Sequence, residues 1–456
     1  MIEYGKVLKT AFMVLEDIPI CNRCLGRQFA WLSTDSDNEQ RGNAIKLLLS
    51  MEADELIRTG ENKKGYEIVR ILAQNGMFRP AMSLAQDNDL EYESADDCYL
   101  CTIEGESIFS RIPEITDEVG DIKDQIEFDT YLVGCVPIPK LVERQDEIRA
   151  KHNLLHGEPL KSDFNRELGK SIYEETRKEV EFERPDIVFI YEMADETFRL
   201  QINPLFIKGR YRKLQRGIPQ SRWDCSDCRG KGCEKCDGTG RKYPDSISEY
   251  IGIPTQKAAK GSDFKFHAAG REDIDALMLG TGRPFVVEVS EPRKRHLDLD
   301  SLREKINSTA EGKVEVTDLE PSDKDTVQKL KSEASENIKE YEALIETNTE
   351  IEENLVAEAG KNLSDITIEQ RTPNRVAHRR SDLVRKKQIY EVKLEKTGKK
   401  KLRGFFKVQG GTYVKELISG DDGRTKPSLT EELGTMCTCE KLNVVAIYGL
   451  PADHNP

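Results

Sequence analysis

Residues 270–275 read Gly-Arg-Glu-Asp-Ile-Asp, inside the longer run AAGREDIDALMLGTGRPF. Asp273 and Asp275 lie two positions apart on a stretch bounded by glycines, with Arg271 just ahead of them. A carboxylate beside a cation stays ionised. Held on a loop between strands, it can act as a nucleophile or a base. A strand-like run, Phe285-Val286-Val287-Glu288-Val289, follows. The same pattern also fits a surface loop with a local Arg–Asp pair, so its meaning depends on the rest of the chain.

The cysteines carry the second chemical signal. Eight of eleven form four Cys-x-x-Cys pairs: Cys21/Cys24, Cys98/Cys101, Cys225/Cys228 and Cys233/Cys236. Each pair presents two thiolates on one side of a turn, and zinc takes four ligands in a tetrahedron. The last two pairs run Cys-x2-Cys-x4-Cys-x2-Cys among Gly230, Gly232, Gly238 and Gly240, which predicts one closed structural zinc site. A closed site has no open ligand position, so it does no zinc catalysis. Cys21/Cys24 and Cys98/Cys101 share an ion only if the segment between them folds back, stapling the N-terminal region. Cys135 and Cys437 read as ordinary buried cysteines. A secreted disulfide scaffold is normally short, which this chain is not.

At 456 residues the chain suggests two to three domains. Its 37% hydrophobic content is low but sufficient for packed cores. The net charge is −14, so the chain is not basic overall. Nucleic-acid binding depends on the local field instead. Lys208, Arg210, Arg212, Lys213, Arg216 and Arg222 form one basic strip, read as a phosphate-contacting surface. Residues 371–415 hold 15 Lys or Arg against three acids, a local net of +12 interleaved with apolar residues. That sign, opposite to the whole, points to nucleic-acid contact. No apolar run long enough to span a membrane occurs, and the N-terminus lacks a signal-peptide pattern. A cytoplasmic protein is expected, with no membrane partner.

Several elements must position these residues. Residues 44–83 predict two amphipathic helices, 129–142 a strand and 162–181 a helix. PDIVFIYEM and ETFRLQINPLFIKGRYRKLQRG predict two strands of one sheet. Such a module is consistent with an RNA-binding accessory domain. From about 248 onward strands alternate with helices. Ser322, with Asp325 three residues on, predicts a helix N-terminus. The Glu- and Lys-rich stretch to about 359 reads as a solvated helical face, which puts Tyr341 on a helix. Tyr413 and Lys415 are expected on a strand. His267 and His378 receive no role.

Together these motifs resemble the archaeal and eukaryotic tRNA pseudouridine synthases of the tenth family (Pus ten). The resemblance spans nearly the whole chain. It includes both cysteine clusters, the RNA-binding module, GREDIDALMLGTGRPF, QRTPNRVAHRRSDLVR and GGTYVKELISGD. It implies an α+β protein: a zinc-stapled, THUMP-like RNA-binding accessory region over 1–250, then a pseudouridine synthase catalytic domain over 251–456 on a mixed, mainly antiparallel sheet. It implies isomerisation of uridine to pseudouridine in the tRNA T-loop, at positions 54 and 55. Asp273 takes the place of the catalytic aspartate, with Asp275 the alternative. Lys339-Glu340-Tyr341 resembles the element with the active-site tyrosine, and Gly411-Thr412-Tyr413-Val414-Lys415 the one whose basic residue pairs with the carboxylate. Leu442 belongs to the last motif and packs near the base.

Pseudouridine formation breaks the N1–C1′ bond, turns the base and joins C5 to C1′. It needs no redox step or donor, so no organic cofactor and no small cosubstrate are expected, and the absence of a Walker or Rossmann motif fits. The flipped uridine would leave space for Arg271, stack on Tyr341 and be held through its phosphates by Arg375, Arg379 and Arg380, with Tyr413 nearby. Two other readings compete. One is another THUMP-type tRNA-modifying enzyme, for which Gly280-Thr281-Gly282 is a weak nucleotide site. The other is a non-catalytic zinc-ribbon RNA-binding protein, which leaves GREDID without a purpose.

Overall fold

A computed structural model describes residues 5–333 and 337–448, apart from the side chains of Glu333 and Arg379. The chain divides into two compact units, Met1–Asn203 and Pro204–Pro456.

The first unit opens with helices α1 (Lys6–Asp17), α2 (Asn22–Arg27), α3 (Asn38–Arg58), α4 (Asn62–Gln74) and α5 (Arg79–Asp87). Asp37 and Gln40 cap α3 reciprocally. Three helices, not two, therefore cover 44–83. The chain turns at Gly60, with φ +89°, and again at Met77, with φ +48°. A short hairpin follows, β1 (Thr102–Ile103) with β2 (Glu106–Ser107). Then come α6 (Ile112–Lys123), β3 (Thr130–Val136), α7 (Pro139–His152), α8 (Leu160–Thr176), β4 (Glu179–Val180), β5 (Ile187–Glu192) and β6 (Thr197–Ile202). The strand expected over 129–142 stops at Val136 because Pro139 starts α7, where a missing N–H costs nothing. The sheet order is β4-β3-β5-β6, parallel except for β5–β6. Ile187, Phe189 and Tyr191 alternate inward on β5, as period two requires.

The second unit is a ten-stranded sheet. Its strands are β7 (Leu205–Lys213), β8 (Asp263–Ala268), β9 (Leu277–Ser290), β10 (Val314–Ser322), β11 (Ile338–Thr347), β12 (Ile366–Arg371), β13 (Val384–Gly398), β14 (Lys401–Gln409), β15 (Thr425–Lys426) and β16 (Cys437–Tyr448). Its helices are α9 (Ile247–Ala259), α10 (Leu299–Thr309), α11 (Lys324–Glu333), α12 (Glu353–Asn362), α13 (Val414–Ser419) and α14 (Leu429–Leu433). The order is β10-β7-β9-β16-β11-β14-β13-β12-β15, with β8 on β9. Only β9–β16 runs parallel, so the sheet is mixed and mainly antiparallel, and the fold is α+β.

Further expectations change. The basic strand β7 does not pair with β6; it lies between β9 and β10 in the second unit, and the turn at Asn203-Pro204 separates the two. The units therefore divide at 203/204 rather than 250, and the cysteines at 225–236 fall in the second. The stretch holding Tyr341 is a central strand, not a solvated helix. Lys339, Ala343, Ile345 and Thr347 are buried in period two, and the glutamates between them had obscured that alternation. Ser322 ends β10, while Asp323 accepts the Thr326 backbone N–H at 2.7 Å and starts α11. Finally, Tyr413 caps α13 and Lys415 lies in its first turn, where a strand was expected.

Candidate active site and metal centres

The loop carrying Asp273 leaves β8 and enters β9, and the segment after β7 holds its backbone. Lys213, fully buried at the end of β7, donates to the carbonyls of Ile218, Asp273 and Ile274 at 2.9, 3.2 and 3.0 Å. Burial pushes its ammonium down to about 8. The Gly217 amide donates to the Ile274 carbonyl, Gln220 to that of Gly270 and Arg216 to that of Asp275. Below the loop, Glu272 and Arg283 form an ion pair at 2.8 Å, each side chain 1% exposed. The Tyr211 hydroxyl donates to Glu272, and burial together with that carboxylate keeps the phenol well above its ordinary range. Gly270 takes φ +79°, which only glycine adopts without strain.

These contacts turn both aspartates towards a cleft of about 660 Å³. Asp273 receives Arg375 Nη1 at 3.1 Å and Lys415 Nζ at 3.4 Å. Asp275 receives Lys415 Nζ at 2.8 Å. Burial works against the charge on Asp275, but the bond to Lys415 outweighs it and leaves the carboxyl below its usual range. The Asp273 side chain is 33% exposed and that of Asp275 69%. Glu416 on α13 fixes Arg375 through its Nε at 2.6 Å. Gln370 of β12 makes two hydrogen bonds to the Tyr413 backbone, and Arg380 reaches the Tyr413 hydroxyl at 2.8 Å.

Tyr341 faces the cleft from β11 and Leu442 from β16. Burial pushes Tyr341 up to about 12, so it is a neutral phenol under ordinary conditions. Arg271 lies at the rim, its guanidinium 5.1 Å from the Trp223 ring centre. Arg379 belongs to the short 3-10 helix Asn374–Arg379, and its side chain is outside the described residues. The cleft thus gathers Asp273, Asp275, Arg271, Tyr341, Lys415, Tyr413, Leu442, Arg375 and Arg380. Sequence reasoning missed Glu272, Arg283, Lys213, Tyr211, Glu416 and Lys339. Glu272, Arg283, Lys339 and Glu416 lie within the motifs that carry the resemblance and Lys213 within the basic strip, while Tyr211 gave no local signal.

The basic strip on β7 is engaged internally rather than free for phosphate. Lys208 pairs with Glu320, Arg212 with Glu315 and Arg222 with Asp224. Arg210 donates to the carbonyls of Thr281, Gly282 and Ile447, and Arg216 to that of Leu442. Gly280 explains the Gly-Thr-Gly run: a Cβ there would lie 1.9 Å from the Val445 carbonyl oxygen, where β9 runs beside β16. This element brings strands together and is not a nucleotide loop.

Cys21, Cys24, Cys98 and Cys101 form one tetrad, and Cys225, Cys228, Cys233 and Cys236 another; within each, the sulfurs lie within 4.8 Å of one another. Both fit a metal ion. Backbone amides of Cys21 and Cys24 point at sulfurs of the first, and those of Gly232, Cys233 and Gly240 at sulfurs of the second. Arg27 and Lys46, both 0% exposed, lie beside the first, where they would offset the charge of thiolates deprotonated by a bound metal. Cys135 and Cys437 are buried elsewhere. No described helix is long and apolar enough to cross a membrane.

Known proteins are similar to this chain in sequence. The family model described as Pus10, C-terminal, matches residues 206–448, and that described as Pus10 THUMP domain, archaeal, matches 115–192. A tRNA pseudouridine synthase Pus10 of Methanothrix thermoacetophila is 43% identical over 445 residues, 98% of this chain and 95% of that protein. Proteins of the same name from Methanocaldococcus jannaschii and Halorubrum lacusprofundi are 39% and 37% identical, over 96% and 97% of this chain and 94% and 96% of their own. Among solved structures, one titled as a Cbf5-Nop10-Gar1 complex matches 43% of this chain and 44% of its own at a TM-score of 0.27 and 18% identity.

Proposed function

This chain belongs to the Pus10 family of tRNA pseudouridine synthases, and from that membership we propose that it converts uridines 54 and 55 of the tRNA T-loop to pseudouridine, with Asp273 as the reacting carboxylate. The observation that carries the assignment is Asp273 at the cleft wall, between Arg375 and Lys415 and among the groups that line the cleft with Tyr341 and Leu442. Two cations flank the carboxylate, and Tyr341 offers an aromatic face for a flipped base. Of the two aspartates, Asp273 is the less exposed and has both cations. Asp275 has Lys415 alone and serves to hold that lysine.

The basic stretch 371–415 supplies the phosphate contacts, with Arg375 and Arg380 nearest the site. The two cysteine tetrads hold zinc, each through four thiolates. With every ligand position filled, the metal's chemistry is structural cross-linking. A cytoplasmic setting belongs to the same reading.

The test is pseudouridine mapping at single-nucleotide resolution in an unmodified tRNA transcript, with wild type, Asp273→Asn and Asp275→Asn. The expected result is modification in the T-loop by wild type, none by Asp273→Asn, and a reduced rate with Asp275→Asn. Loss with Asp275→Asn alone would transfer the role to Asp275. Tight tRNA binding with no pseudouridine from wild type would favour a binding protein.

A further inference from the structure

Lys339 precedes Tyr341 by two residues on β11, so both side chains leave the same face of the strand. It borders the cleft together with Asp273, Tyr341 and Leu442, although it is only 6% exposed. Among the described residues no carboxylate or carbonyl partners its ammonium. Glu272, the acid whose charge acts on it, is already held by Tyr211 and Arg283. The Lys339 Nζ and Arg283 Nη1 crowd Gly270 from one side, 3.1 and 3.3 Å from where a Cβ would stand. The other charged or titratable groups around it are Asp273 on the loop, Lys331 of α11, Lys387 of β13 and Tyr341 itself. A buried cation without a counter-ion is costly, and a ligand oxygen would offset that cost.

We propose that Lys339 is the electrophile that stabilises the departing uracil, through one of the base's carbonyl oxygens. Breaking N1–C1′ leaves both bonding electrons on the base, which spreads the charge over N1, O2 and O4. C5 then attacks C1′ with an electron pair, and the proton on C5 is lost while N1 gains one, so the product is an isomer. The ammonium donates a hydrogen bond throughout and gives up no proton. The base leaves with the electron pair whether the carboxylate adds to C1′ or removes a proton from C2′. Because the negative charge is absent from the ground state, Lys339 acts on the transition state rather than on tRNA affinity. Burial, then the neighbouring Arg283, push this ammonium down to about 7 in the free protein.

The test uses the full chain and a tRNA transcript, comparing wild type, Lys339→Met and Lys339→Arg in single-turnover rate, tRNA Kd, melting temperature and kcat/KM from about pH 6 to 9. Lys339→Met should lose about 10²–10³-fold in rate, with Kd within about twofold. Wild-type kcat/KM should fall as pH rises through about 7, where the free ammonium deprotonates. Lys339→Arg should recover most of the rate and carry that limb to higher pH, because a guanidinium stays charged. A fully active Lys339→Met, a defect confined to Kd, or the same alkaline limb in wild type and Lys339→Arg would overturn the proposal. If Lys339→Met unfolds, Lys339→Arg decides. The inference rests on uridine isomerisation by this chain, and a wild type that makes no pseudouridine would remove that assignment, not the lysine alone.

Discussion

At the scale of single residues, the cleft depends on buried groups that hold its loop in place. Glu272 and Arg283 are a buried pair at 2.8 Å, and removing one partner strands the other. Glu272→Gln should destabilise the second unit by about 3–5 kcal/mol, measured by denaturant unfolding. Lys213 adds a pH dependence of known sign. Its folded value, about 8, lies below the ordinary 10.5, so the unfolded chain binds the proton more tightly. Stability contributed by this group therefore rises with pH between those values. Relative to Lys213→Met, wild type should gain at most about 3 kcal/mol between pH 8 and 10.5. An unchanged difference across that window would contradict a depressed lysine.

At the scale of elements, the close pairing of β9 with β16 and the second cysteine knuckle bear on the cleft wall. Gly280 has φ +53° and no room for a Cβ. Gly280→Ala should lower the melting temperature and reduce activity, since Asp273 and Leu442 come from the two segments that meet there. The knuckle is joined to the rim by Arg271 over Trp223. The chain has two tryptophans, so in a Trp31→Phe background Trp223 reports alone. Chelation, or Cys228→Ser, should shift its emission to the red and open residues 223–241 to protease. Emission unchanged by complete metal removal would show that the knuckle keeps its fold without metal.

At the scale of the whole molecule, the net charge of −14 coexists with a +12 segment at 371–415. Association with RNA through that segment releases counterions, so affinity should fall steeply with salt. Lys399 and Lys400 are exposed at the turn between β13 and β14, far in sequence from Asp273. Lys399→Glu with Lys400→Glu should weaken tRNA binding and flatten the salt slope by about 0.7–0.9 for each phosphate that the pair ceases to neutralise. The rate at saturating tRNA should hold. A slower saturated rate would mean that the hairpin also shapes the site.

The sequence alone singled out the candidate set, because those residues are close together along the chain or evenly spaced. Gly270–Asp275 is one loop, and four Cys-x-x-Cys turns each place two sulfurs locally. The family resemblance carried Tyr341, Lys415 and Leu442 with it. What depended on distant contacts was beyond local pattern. Tyr341 read as helical because glutamates at helical spacing hid a buried period of two, and only pairing with β14 and β16 makes β11 a central strand. The strip on β7 read as free cations because their acceptors, Glu315, Glu320 and the carbonyls of Thr281 and Leu442, are at least 71 residues away from their partners. The unpaired state of Lys339 is likewise a tertiary fact: it follows from Glu272 being taken by Tyr211 and Arg283, which the fold alone brings together.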